Sequence, residues 1–120
     1  MNWLFVFLGG GAGSVVRYAL ARGLSTAASS PFAAAGATLL ANALASGLLA
    51  WWLWKGGAQQ PLHAALAIGF CGGLSTFSTW SAELAHWIKS GNWPLALGYA
   101  LLSLALGLLP FFAWSAAKGL

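Results

Sequence analysis

Between Gly69 and Trp80 an otherwise apolar segment is interrupted by glycines, hydroxyls and aromatics: Gly69-Phe70-Cys71-Gly72-Gly73-Leu74-Ser75-Thr76-Phe77-Ser78-Thr79-Trp80. Glycine weakens a helix, and Ser and Thr side chains compete for backbone hydrogen bonds, so a segment built only to cross lipid has no use for such a run. The run predicts a helix opened between Gly72 and Ser75, with carbonyls released from the helical ladder. At membrane depth an interrupted helix is tolerated where it lines a site or a water-filled path.

A membrane setting follows from composition. With 60% hydrophobic and 5% charged residues in a chain of 120, there is too little polar surface to cover a soluble globule. A bilayer core about 30 Å thick takes about 20 helical residues per crossing. The chain therefore reads as one four-span, all-α integral membrane domain, residues 1–120, with spans near 3–24, 32–54, 62–88 and 93–117 and the break in the third. Arg17, Arg22 and the loop from Ser25 to Pro31 close the first span, Lys55-Gly56-Gly57 and Pro61 end the second, and Lys89-Ser90-Gly91-Asn92 forms a short loop before the fourth. The start, Met1-Asn2-Trp3, has no basic stretch before its apolar run and reads as a retained span rather than a signal peptide. Seven of the eight tryptophans fall near span ends, where amphipathic rings favour the headgroup region, and Trp80 alone lies deep within a span.

The net charge of +4 does not mark a nucleic-acid binder, because the five basic residues are scattered singly. Lys55 and Lys118 fall on one side of the membrane and Arg22 and Lys89 on the other, so the charge bias that orients a chain is nearly balanced. Such a chain is suited to inserting both ways and pairing as an antiparallel homodimer. Four short spans enclose little volume for a private pore, which again favours a dimer. Small residues four apart, Gly9 and Gly13, Ala43 and Gly47, Gly69 and Gly73, are suited to close helix packing.

Polar side chains inside the spans are few: Arg17, Thr38, Asn42, Ser46, Ser75 to Thr79, Glu83, Tyr99 and Ser103. Each is costly in lipid and wants a reason. Asn42 carries two donors and an acceptor that lipid cannot satisfy, so it must face protein, water or a ligand. Phe77 and Trp80 are three apart and share a helix face. Packing is the plain explanation, but ring edges carry the positive part of the aromatic quadrupole and can solvate a small anion. Carbonyls opened around Gly72 and Ser75, converging from two subunits, would make a cation site. Glu83, the one acid, is open to three uses: lining a vestibule, pairing with Arg17 or a lysine, or carrying protons.

Nothing points to an enzyme. His63 and His86 stand near span ends, far in sequence from the one carboxylate and from Cys71, so neither a catalytic triad nor a metal-ligand cluster has members. Cys71 stands alone in apolar surroundings and reads as a buried, inert thiol. The run from Gly9 to Gly13 matches no nucleotide-binding loop.

The Gly69 to Trp80 run closely resembles the signature of the CrcB/Fluc fluoride channels. Gly9-Gly10-Gly11-Ala12-Gly13-Ser14-Val15-Val16-Arg17-Tyr18 resembles that family's opening Gly-rich, Arg-Tyr motif, and Gly36-Ala37-Thr38-Leu39-Leu40-Ala41-Asn42 its Gly-Thr-Leu…Asn motif. The resemblance covers essentially the whole chain. It implies a passive, fluoride-selective channel of the bacterial inner membrane that lowers cytoplasmic fluoride, built as a dual-topology homodimer in the lipid bilayer with two pores and a central sodium ion. Carried over by motif, Phe77 and Trp80 correspond to the paired pore aromatics, Asn42 to the pore asparagine, and Tyr99 and Ser103 to a polar track in the fourth span. Ser78 and Thr79 supply further hydroxyls, Gly72 and Ser75 correspond to the positions whose carbonyls hold sodium, and Arg17 and Glu83 are vestibule or structural residues. Three departures stand out: Trp80 replaces the usual second phenylalanine, Ser75 the usual threonine, and Gly107 falls where the track can carry another hydroxyl. The competing class is a small multidrug-type proton-coupled exporter, which needs a membrane acid in the first span; here that span has none.

Overall fold

The computed structural model describes residues 2–27, 30, 32–57, 61–117 and 119. Met1, Pro31 and Lys118, used above to place a start, a loop and a charge, lie outside the described residues. Helix α1 (Asn2–Ala27) and helix α2 (Phe32–Trp54) are followed by a π-helical segment (Ala64–Cys71), which runs directly into a single α-turn, α3 (Gly72–Leu74). After a two-residue gap come α4 (Phe77–Lys89) and α5 (Trp93–Ala117). Among the described residues there is no strand.

Local chemistry sets the helix ends. Ser30 Oγ accepts the Phe32 N–H at 3.2 Å and opens α2, as a serine does at an N-cap. At the other end Gly56 has φ +78°, its N–H reaches the Leu53 carbonyl and the Gly57 N–H reaches the Trp52 carbonyl. Helix α4 ends the same way: Gly91 has φ +85°, its N–H bonds the Ile88 carbonyl and the Asn92 N–H bonds that of Trp87. Both are Schellman closures, in which a left-handed glycine lets its own N–H and the next one turn back onto the last carbonyls.

Helices α1, α2 and α5 are long and apolar enough to cross a membrane. Their outer faces carry large exposed apolar side chains such as Trp3, Phe7 and Phe112, which suits a lipid solvent. The interior is made of small groups: Ala41, Ala45, Cys71 and Leu74 form its centre, with Leu20, Leu48, Leu49 and Phe70 packed around them. Packing is tightest between α1 and the π-helical segment. A Cβ at Gly9 would run into the Ala65 carbonyl oxygen, one at Gly13 into that of Phe70, and one at Gly73 into that of Gly10. The two glycine pairs thus let backbone lie on backbone. Gly47 is different, since a Cβ there would meet nothing within 4 Å. The Ala43–Gly47 spacing is not a close approach within the chain.

Candidate functional site at the helix break

The chain leaves the helical conformation at Ser75 (φ −77°, ψ 155°) and Thr76 (φ −150°, ψ 114°). This corrects the expected opening at Gly72 to Ser75: Gly72 is helical, with φ −64° and ψ −38°. Gly73 serves the contact with Gly10 instead. The break falls where side chains can replace the lost ladder. Asn42 Oδ1 accepts the Thr76 N–H at 2.7 Å, and Asn42 Nδ2 donates to the Thr76 carbonyl at 3.3 Å. One amide from α2 therefore satisfies both backbone groups of an extended residue 34 positions away. Thr76 in turn caps α4, its Oγ1 accepting the Thr79 N–H at 3.3 Å and donating to Thr79 Oγ1 at 3.2 Å, with Ser78 Oγ 3.4 Å away.

These caps have a consequence for two carbonyls. In an α-helix the Gly72 oxygen would accept from the Thr76 N–H and the Ser75 oxygen from the Thr79 N–H. The first donor is held by Asn42 and the second by Thr76 Oγ1. No other backbone N–H outside the helices' own ladders donates to either oxygen among the described residues. Gly72 and Ser75 both line a cavity of about 170 Å³, with Ser46, Leu49 and Cys71 also in its wall. Free carbonyl oxygens are the donors a hard cation such as sodium takes, so the chain's own groups fit the ion that the family motif implies. The neighbouring Gly73 carbonyl is engaged, accepting from Arg17 Nε at 3.2 Å.

Helices α4 and α5 are laced by two side-chain bonds. Trp80 Nε1 donates to Ser103 Oγ at 3.0 Å, and Tyr99 Oη donates to Glu83 Oε2 at 2.7 Å. Thr38 Oγ1 from α2 donates to the other carboxylate oxygen, also at 2.7 Å. Pairing of Glu83 with Arg17 is thereby corrected: the carboxylate is held by two hydroxyls and the guanidinium lies on Gly73. Tyr99 is buried, with its ring edge-on to Trp87 at 5.1 Å, so the two hydroxyls expected on one track have different partners. The Phe77 and Trp80 rings do meet, at 5.6 Å between centroids and tilted by 46°. Phe77 is 76% exposed, and Ser78 and Thr79 are exposed beside it.

A second cavity, about 250 Å³, is walled by Ser14, Arg17, Tyr18, Thr38, Thr76 and Thr79. One guanidinium and several hydroxyls make it a place where an anion finds donors. Thr38, an intramembrane polar residue of the sequence, joins this site through its bond to Glu83. Its spacing of four from Asn42 on the same helix face was the available signal.

The asparagine clamp yields a direct expectation. Asn42→Leu removes both bonds and strands the Thr76 N–H and C=O, so a loss of about 2–4 kcal/mol is expected, read as a lowered thermal midpoint of the purified protein in detergent. An unchanged midpoint would remove Asn42 from the support of the break.

The family model described as CrcB-like protein, Camphor Resistance (CrcB) matches residues 4–115 of this chain. The chain belongs to the CrcB family. Among its CrcB relatives are proteins named fluoride-specific ion channel FluC. That of Pectobacterium atrosepticum is 41% identical over 110 residues, covering 88% of this chain and 84% of the relative. An Escherichia coli relative is 35% identical over 114 residues (94% and 87%), and one from Gloeobacter violaceus 38% identical over 126 (98% and 96%). Together with the three apolar helices, this makes the CrcB chain a multi-pass membrane protein.

Proposed function

We propose that this chain is a fluoride-selective channel, through which fluoride leaves the cytoplasm passively and electrogenically across the bacterial inner membrane. The observation that carries the reading is the donor cluster at the break. Asn42, Thr76, Ser78 and Thr79 are gathered where α3 gives way to α4, next to the touching rings of Phe77 and Trp80. Fluoride is small and strongly hydrated, so it enters only where several donors replace its water at once. Hydroxyls, an amide and positive ring edges do this without a full charge that would trap the ion, which leaves binding adequate yet escapable.

The working unit in this reading is an antiparallel, dual-topology homodimer in which the broken segment, residues 64–89, is the third of four spans. One chain offers the Gly72 and Ser75 carbonyls, and a second copy about a twofold axis doubles them to four, a sensible set for sodium. Bound there, the cation offsets repulsion on the anions and ties the two broken helices together. A coupled exporter is less well supported, since Glu83 is engaged by Thr38 and Tyr99 rather than free at the first span.

Two measurements test this. A bacterium made fluoride-sensitive by loss of its own exit route is expected to regain growth when it expresses the chain; unchanged sensitivity with the protein present in the membrane counts against the reading. Reporters fused to the C-terminus are expected to give comparable signals from both sides of the membrane, and a single fixed orientation would refute dual topology.

A further inference from the structure

We propose that Trp80 is a positioning residue that fixes the Ser103 hydroxyl as a hydrogen-bond donor to the permeating anion, an inference that rests on the fluoride-channel reading above. An indole N–H donates and cannot accept. With Trp80 Nε1 3.0 Å from Ser103 Oγ, the serine oxygen is the acceptor of that bond and its own proton points elsewhere. A helical hydroxyl often spends that proton on the carbonyl one turn back, as Thr26 and Ser90 do here. Among the described residues Ser103 makes no such bond, so its proton remains available.

The setting puts this donor beside the proposed path. The indole that seats Ser103 also meets the exposed Phe77 ring at 5.6 Å, so the oriented hydroxyl and the ring edges share one wall. One turn further on, the Glu83–Tyr99 bond joins the same two helices and holds their register. A benzene ring at position 80 would keep the aromatic edge but leave the Ser103 oxygen free to turn lone pairs toward an anion, which repels it. The indole removes that option. Fluoride is held more tightly at this point and leaves more slowly.

The test uses the full chain in liposomes and in nanodiscs. Fluoride flux is measured against fluoride concentration for the wild type, Trp80→Phe, Ser103→Ala and the double variant. Each single change is expected to raise the half-saturating concentration about tenfold, and the double variant no further than about twofold beyond either single, because the two residues act as a unit. The bond is read without transport from the Nε1–H resonances of ¹⁵N-indole-labelled protein, the Trp80 signal being assigned by its loss in Trp80→Phe. Ser103→Ala is expected to shift that signal in the absence of fluoride, whereas Ser103→Thr, which keeps the hydroxyl, leaves it nearly in place. Multiplying effects of the single changes in a conducting protein, or a Trp80 signal indifferent to Ser103→Ala, overturns the role of Trp80 alone. Absence of fluoride flux from the folded wild type overturns the channel reading and this inference with it.

Discussion

Phe77→Ile is expected to abolish fluoride flux while leaving the protein folded. The ring is 76% exposed in the single chain, and its aromatic contact is with Trp80 at 5.6 Å. Little internal packing is therefore lost, and stability should stay within about 1 kcal/mol of the wild type, read as a thermal midpoint close to the parent's. Function is another matter. Isoleucine fills a similar place but has no quadrupole, so the positive edge offered to the anion disappears. If that edge contributes about 2.7 kcal/mol to the ion at its least hydrated point, the rate falls about a hundredfold, below leak in a liposome assay. Normal flux in a folded Phe77→Ile protein would remove Phe77 from the path.

Gly13→Val is expected to give no folded protein at all. A Cβ at Gly13 would strike the Phe70 carbonyl oxygen and lie 2.8 Å from the Leu74 backbone nitrogen. Both are backbone atoms of the segment that leads into the break, and neither can swing aside as a side chain does. Relief requires α1 to back away along its length, which gives up the contacts at Gly9 and Gly73 together. A cost above about 3 kcal/mol is expected from overpacking of this kind, enough to lose a monodisperse peak on size exclusion. Gly11→Val is the control: nothing lies within 4 Å of a Cβ at Gly11, so that chain should purify and melt like the parent. Equal behaviour of the two variants would contradict the packing described here.

Much of the site is legible in the residues, for reasons that differ from one to the next. An amide in an Ala/Leu span must be satisfied by something other than lipid, so Asn42 announces itself; its partner does not, because Thr76 is 34 residues away and the pairing is a product of tertiary packing. The Gly/Ser/Thr run signals a break, but glycine's cost to a helix is only a tendency. With Gly73 packed on Gly10 of α1, Gly72 and Gly73 stay helical and the opening shifts to Ser75 and Thr76, where Asn42 and the Thr76 hydroxyl can take over the backbone bonds. A lone acid and a lone arginine invite an ion pair. Hydroxyls from α2 and α5 reach Glu83 instead, because α4 packs against both helices. The π-helical stretch Ala64–Cys71 has no compositional mark; its wide turn is visible only in how its carbonyls lie against the glycines of α1. Equal spacing of small residues is likewise ambiguous, since Gly9 and Gly13 are close contacts and Gly47 is not.

Passive and selective fluoride conduction is read from efflux out of potassium-loaded liposomes containing the purified protein, with valinomycin added and external fluoride followed by electrode, and chloride run as the control. Fast fluoride efflux that depends on valinomycin, with no chloride efflux, is expected of a passive fluoride channel. Fluoride movement that instead requires a proton gradient, or none at all from protein shown to be folded, would contradict it.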